Sequence, residues 1–187
     1  IAKFLDNRLS KINRFIRAKK RQIELLKELK QAIINQAVTK GIDPNVPMKD
    51  SGVEWLGEIP EHWGQRKVKY LFDERVEKGY PDETLLAATQ NKGVVPKHMY
   101  ENRTVVAQKD LHLLKLVKKG DFVISLRSFQ GGIEYAYYQG IISSAYTIMI
   151  PKNEIAPSFF KHLGKSRSFI ELLKLCVTGI REGQNID

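Results

Sequence analysis

The sequence predicts an α+β protein in which one long coiled-coil-type helix precedes a small mixed α/β domain with many short strands. Three observations lead to this prediction. The first 38 residues contain neither proline nor glycine, their apolar residues recur with heptad spacing, and the remainder consists of short apolar runs separated by glycines. We divide the chain into a helix at 1–41, a linker at 42–66 that leads into the domain, and a domain at 67–187, which we expect to be incomplete at its C-terminal end.

The N-terminal segment has the apolar spacing of a coiled coil. A heptad register that starts at Ala2 places apolar residues at nine of eleven seam positions, with Lys19 and Lys30 at the other two. A helix of this length would extend over about 57 Å and rarely stands alone, so we expect a partner helix to cover the seam. Gly41, in the left-handed conformation, and Pro44 should end it. The expected pairing residues are Leu5, Leu9, Ile12, Ile16, Ile23, Leu26 and Ile33.

The linker and the domain are predicted from turn residues and apolar runs. After an extended connector at 43–47, we expect a short helical turn at Val53–Leu56 and a packed loop anchored by Trp55 and Trp63. The predicted strands are Leu85–Thr89, His112–Leu116, Asp121–Leu126, Tyr135–Tyr138 and Ala145–Ile150, and the predicted helices are Ser158–Gly164 and Ser168–Leu175.

The charge is concentrated at one end of the chain. The net charge is +10, and residues 1–40 hold eleven basic and three acidic residues, which leaves only +2 for the rest. Such a local excess is typical of a surface that meets a polyanion, although a solvated helix face explains it equally well. The single cysteine, Cys176, is interpreted as a small core residue, and the lack of a disulfide framework favours the cytoplasm. No apolar run reaches the ~18 residues of a membrane span.

Motifs for catalysis and metal binding are incomplete in this sequence. Gly164-Lys165-Ser166 resembles the end of a phosphate-binding loop but lacks the glycine that should precede it, because position 159 is Phe. Pro81-Asp82 lacks the downstream acid and lysine of a nuclease and is better explained as a turn. The four histidines lack zinc-ligand spacing. We therefore expect a binding protein with no catalytic residues, no metal and no cofactor.

Three polar loops are candidates for contact with DNA. The first, Thr89–Gly93, carries amide side chains that suit adenine edges and a lysine that suits phosphate or guanine, although an ordinary hairpin turn is an alternative. The second, Arg127–Gly132, follows an apolar strand, and the third, Thr178–Asn185, could also be a solvated C-terminal loop. The candidate residues are Gln90, Asn91, Lys92, Arg127, Ser128, Gln130, Arg181, Gln184 and Asn185.

Several of these segments resemble the specificity subunit of type I restriction–modification enzymes. The most specific is Met48–Trp63, which resembles the start of a target-recognition domain. The resemblance extends over nearly the whole chain and adds Tyr146 to the DNA-contact candidates. The other matching segments are Arg21–Leu26, Gln36–Gly41, Gly120–Ile124, Gly131-Gly132, Gly140–Tyr146 and Gly179–Arg181 with Gln184.

The resemblance implies a non-catalytic subunit that reads half of a bipartite site in double-stranded DNA. In that family two antiparallel helices separate two target-recognition domains. Modification subunits supply S-adenosylmethionine chemistry, and restriction subunits use ATP and Mg²⁺. This chain departs from the pattern by holding one helix and one incomplete domain, so we expect a homodimer through the long helix, or a modification subunit on the same seam. A scaffold protein that uses its basic helix to bind other proteins is the alternative, and a nuclease or modification enzyme is the weakest interpretation.

Overall fold

In the computed structural model, a long N-terminal helix is followed by small antiparallel sheets, which confirms the predicted mixture of helix and strand. The structure describes residues 1–53, 56–100, 110–125, 131–175, 177–178 and 185–186. The helices are α1 (Ala2–Thr39), α2 (Val68–Leu71), α3 (Pro157–Leu163) and α4 (Arg167–Leu175). The strands are β1 (Met48–Asp50), β2 (Glu58–Pro60), β3 (Phe72–Glu74), β4 (Leu86–Thr89), β5 (Gly93–Pro96), β6 (Lys115–Val117), β7 (Phe122–Ser125), β8 (Glu134–Tyr135), β9 (Gly140–Ile142), β10 (Tyr146–Pro151), β11 (Val177–Thr178) and β12 (Asn185–Ile186).

Helix α1 is continuous and contacts the rest of the described chain only near its C-terminal end. Residues 1–33 are all exposed, and Val38 is the one fully buried residue of the helix. Gly41, which follows the last turn, has a φ of +81°, as the sequence predicts. The seven predicted pairing residues are each between 44% and 58% exposed. The apolar seam therefore has no cover within the described residues.

The centre of the domain is an antiparallel sheet with the strand order β3-β10-β7-β8. Successive side chains of β7 alternate between its two faces. Phe122 and Ile124 belong to one core, which includes Phe160 of α3 and Phe169 of α4. Val123 belongs to a second core on the other face, which the strand pairs β4–β5 and β6–β9 cover. Because both faces are covered, β7 is apolar along its buried length.

Four of the predicted elements are confirmed within one or two residues, namely β4, β10, α3 and α4. The predicted strand Asp121–Leu126 is confirmed over Phe122–Ser125, and its last residue lies outside the described residues. The turn at Val53 is present, since the amides of Leu56 and Gly57 donate to the Val53 carbonyl at 2.9 and 3.1 Å. Trp63 packs edge-on against Phe159 with ring centroids 5.8 Å apart. Trp55 lies outside the described residues.

Two strand predictions are wrong in position, and several strands are unpredicted. The segment predicted as His112–Leu116 begins as a 3-10 turn at Leu111–Leu113, after Asp110 in the left-handed conformation, and β6 starts only at Lys115. Strand β8 covers Glu134–Tyr135, because pairing with β7 ends there. The linker contains the antiparallel pair β1–β2, and β3, β5 and β9 were also not predicted. Strands of three or four residues carry too short a pattern to be read from sequence.

Among the described residues, no helix combines the length and the apolar character that crossing a membrane would require.

Candidate functional site

A cleft of about 550 Å³ opens beside the turn that joins β4 to β5. Four residues predicted to contact DNA line it: Gln90, Asn91 and Lys92 on the turn, and Tyr146 at the start of β10. The sequence separates these two groups by more than fifty residues, so the fold brings them together. The other lining residues are Ala88, Thr89, Tyr100, Ser125, Gly131, Gly132 and Glu134.

One buried threonine, Thr89, stabilises the β4–β5 turn through two hydrogen bonds. The Thr89 hydroxyl donates to the Gly93 carbonyl at 2.8 Å and accepts the Lys92 amide at 2.9 Å. Gly93 has a φ of +74°, and a Cβ there would lie 2.6 Å from the Tyr135 carbonyl oxygen, so the turn requires glycine. The three residues between Thr89 and Gly93 are exposed. Among the described residues, the Asn91 side chain has no hydrogen-bond partner, which leaves its amide available to a ligand.

Lys165 joins the turn to the opposite wall of the cleft. This residue follows α3, and its ammonium donates to the carbonyls of Gln90 at 3.1 Å and of Gly131 at 2.8 Å. It also donates to Glu134 Oε1, with which it forms an ion pair. One side chain thus fixes the distance between the β4–β5 turn and the segment that leads into β8.

Two glycines allow this wall to approach its neighbours closely. A Cβ on Gly131 would lie 2.9 Å from Gln90 Cγ. Gly132 has a φ of +77°, and a Cβ there would lie 2.1 Å from the Gly164 carbonyl oxygen, which accepts the Ile133 amide at 3.0 Å. Gly132 is therefore a packing requirement, whereas a side chain at Gly131 would displace only the exposed side chain of Gln90.

Glu134 is the one carboxylate residue among the described residues that line the cleft. The residue is only 6% exposed. Its Oε1 accepts a hydrogen bond from Lys165, whereas its Oε2 is buried and, within the part of the chain that the structure describes, has no hydrogen-bond partner. Burial raises the pKa of Glu134, and the hydrogen bond and charge of Lys165 oppose that effect only in part.

Tyr146 lies in register with Ser125 of β7, and both line the cleft. Its carbonyl oxygen accepts a hydrogen bond from the Lys115 ammonium at 3.0 Å. Burial raises the pKa of the Tyr146 hydroxyl, and the negative charge of Glu134 adds to the shift. The phenol is therefore a neutral donor and acceptor on the wall that also holds Glu134.

Five of the predicted contact residues lie outside the described residues: Arg127, Ser128, Gln130, Arg181 and Gln184. The described residues on either side of the first three, Ser125 and Gly131, both line the cleft. Asn185 is in β12, whose backbone pairs with β11 through Thr178. The side chain of Asn185 lies outside the described part of the chain.

Sequence reasoning missed Glu134 and Lys165 as members of this site. In the sequence, Lys165 belongs to the incomplete phosphate-binding loop Gly164-Lys165-Ser166, and Glu134 belongs to no complete motif. The available signal was an acid between apolar residues, in Gly132-Ile133-Glu134-Tyr135-Ala136. A charge in such a run needs a partner when it is buried, but the sequence does not identify Lys165 as that partner.

The described part of the chain contains no cluster of three or more histidine, cysteine, aspartate or glutamate side chains that could hold a metal ion. No protein-family model matches this chain, and a search of curated proteins gives no significant match.

Proposed function

We propose that this chain recognises double-stranded DNA in a sequence-specific manner, as the specificity part of a type I restriction–modification system in the cytoplasm. The observation that carries the proposal is the shared position of Gln90, Asn91, Lys92 and Tyr146 on one cleft. The hydrogen-bonding chemistry of Gln90, Asn91 and Lys92 predicts DNA contact from the sequence, and the family resemblance predicts it for Tyr146. Amide, ammonium and phenol groups on one surface match the donors and acceptors of base edges and phosphates.

The fixed backbone of the β4–β5 turn supports a role in the direct recognition of DNA bases. Direct readout needs side chains whose backbone is fixed, because each base contact depends on an accurate distance. The β4–β5 turn has such a backbone. The Thr89 hydroxyl forms hydrogen bonds within the turn, and the Lys165 ammonium donates hydrogen bonds to the carbonyls of Gln90 and Gly131. The exposed amide of Asn91 projects from a fixed position.

The charge of α1 supplies the second support. A net charge of +8 over residues 1–40 gives a long helix that attracts phosphates regardless of sequence. In this proposal, α1 provides affinity that depends on salt, and the cleft provides the choice of sequence.

The chain itself performs no covalent chemistry in this proposal. S-adenosylmethionine, ATP and Mg²⁺ would be bound by modification and restriction subunits, which the chain directs to one half of a bipartite site. The exposed seam of α1 needs a cover, and we propose a second copy of the chain, with the helices antiparallel. Since the described residues of the domain contact α1 near its C-terminal end, such a pair holds two clefts at opposite ends of helices about 57 Å long.

A selection experiment with a salt titration tests the proposal. We expect the purified chain to enrich one short motif from a library of randomised duplexes. Affinity for that motif should fall steeply between 50 and 200 mM salt, as counterions return to the phosphates. Enrichment of no motif would contradict the proposal. Tight binding to other proteins with neither a DNA motif nor a salt dependence would favour the scaffold alternative.

A pair of matched variants tests whether the cleft does the reading. Asn91→Ala should weaken binding to the selected motif by about 1–3 kcal/mol and relax the preference at one base pair. Asn153→Ala removes the same amide from an exposed turn that does not line the cleft, and should leave binding unchanged. Equal effects of the two variants would place the reading surface elsewhere.

A further inference from the structure

The strongest feature that the proposed function leaves unexplained is the free oxygen of Glu134. The carboxylate is buried in the wall of the cleft, and Oε2 is shielded from solvent and has no hydrogen-bond partner among the described residues. A buried acceptor without a partner is costly, and native proteins contain few of them. Such an atom at a candidate binding site points to a donor that arrives with the ligand.

The surroundings of Glu134 limit what that donor can be. The ammonium of Lys165 already lies on Oε1, so a metal cation would be repelled, and a phosphate would be repelled by the carboxylate itself. A neutral hydrogen-bond donor remains. In the major groove of DNA, the neutral donors are the exocyclic amines of cytosine and adenine.

Cytosine is the better match of these two bases. An ionised carboxylate only accepts hydrogen bonds. Cytosine presents its N4 amine in the major groove, whereas adenine presents an amine beside the N7 acceptor. The adenine pattern suits a side-chain amide such as that of Gln90 or Asn91, both of which line the same cleft.

We propose that Glu134 is a specificity-determining residue whose Oε2 accepts a hydrogen bond from the N4 amine of one cytosine. This inference rests on the proposed DNA-reading function. Because Oε2 is shielded from solvent in the free protein, the amine reaches it only after a small displacement of neighbouring side chains. Lys165 holds the other oxygen in place and acts as a positioning residue.

The decisive experiment compares Glu134→Gln with the wild type on the DNA motif that the wild type selects. Glutamine keeps the size of the side chain but adds a donor that guanine and thymine can accept. We expect the wild type to prefer cytosine at one position by about 5- to 150-fold, the range of one good base contact. The variant should lose that preference and keep the others. Glu154→Gln, which makes the same change at an exposed residue outside the cleft, should change nothing.

A second measurement needs only the wild type, so it decides the question even if Glu134→Gln fails to fold. Each cytosine of the selected motif is replaced in turn by pyrimidin-2-one, which lacks the N4 amine. One replacement should weaken binding at least 5-fold. If no cytosine shows this loss, or if Glu134→Gln keeps every wild-type preference, the inference is overturned and the proposed function stands. If the wild type selects no motif, the proposed function fails first.

Discussion

Arg75 and Asp121 form a bidentate ion pair in the interior of the domain. Arg75 Nε lies 2.8 Å from Asp121 Oδ2, and its Nη2 lies 3.1 Å from Oδ1. Both side chains are more than nine-tenths buried. The pair joins the end of β3 to the start of β7, and Asp121 also accepts the Lys118 amide at 2.8 Å. It therefore fixes two neighbours of β10, the strand that carries Tyr146.

The first prediction concerns this ion pair. Asp121→Ala should destabilise the domain by up to about 3–5 kcal/mol, because it removes the buried bidentate partner of Arg75 and leaves only the partly exposed Glu77 to pair with the guanidinium. Urea denaturation measures the change. Glu171→Ala removes an exposed acid that pairs with Lys174 at 2.8 Å, and should leave the denaturation midpoint nearly unchanged. A midpoint for Asp121→Ala close to that of the wild type would show that the pair contributes little.

The second prediction uses two glycines with similar backbone angles. Gly79 has a φ of +92° with no atom within 4 Å of an added Cβ, whereas a Cβ on Gly132 would lie 2.1 Å from Gly164 O. Gly79→Ala should cost about 1–2 kcal/mol through its backbone conformation alone. Gly132→Ala should cost a further ~1–3 kcal/mol, since the backbone of Gly164 must also move. Thermal denaturation of both variants measures the difference, and equal losses would argue against close packing at Gly132.

The third prediction concerns the pH dependence of stability. Burial raises the folded-state pKa of Glu134 above its ordinary value of 4.5. The folded protein therefore binds that proton more tightly than the unfolded chain, and stability falls as the pH rises from the unfolded pKa through the folded pKa. Compared with Glu134→Gln, the wild type should lose stability across this window and show a constant difference above it.

Urea denaturation of both proteins at several pH values from 4 upward measures this difference. All other ionisable residues are common to the two proteins, so their contributions largely cancel in the comparison. A wild type that gains stability relative to Glu134→Gln as the pH rises through the window would mean that the attraction of Lys165 outweighs burial.

The fourth prediction concerns the exposed seam of α1. Sedimentation velocity should show a dimer at micromolar concentrations, and Ile12→Asp should shift the chain to monomers, because it puts a charge on the apolar seam. Asn7→Asp adds the same charge at the heptad position opposite the seam and should leave the dimer intact. A wild type that is monomeric throughout the micromolar range would exclude self-pairing and leave the modification subunit as the proposed cover.

The long helix and the general type of the domain could be predicted from the amino-acid pattern alone. Heptad spacing without proline or glycine predicts α1, and Gly41 ends it with the predicted left-handed conformation. These features are local, since the helix depends on contacts between residues three or four positions apart. Helix α4 was predictable for the same reason, and β10 because its six residues are long enough to form a recognisable apolar run.

The set of residues that line the cleft together depends on the three-dimensional packing and could not be predicted from the sequence. Gln90 and Tyr146 are far apart in the chain, and they meet because the β4–β5 pair packs on the sheet that contains β10. The partnership of Glu134 with Lys165 is likewise invisible in the sequence, because 31 positions separate them. Short strands such as β9 depend on their pairing partners. Side-chain chemistry can be read from the sequence, but burial and long-range contacts arise only when the strands and helices pack.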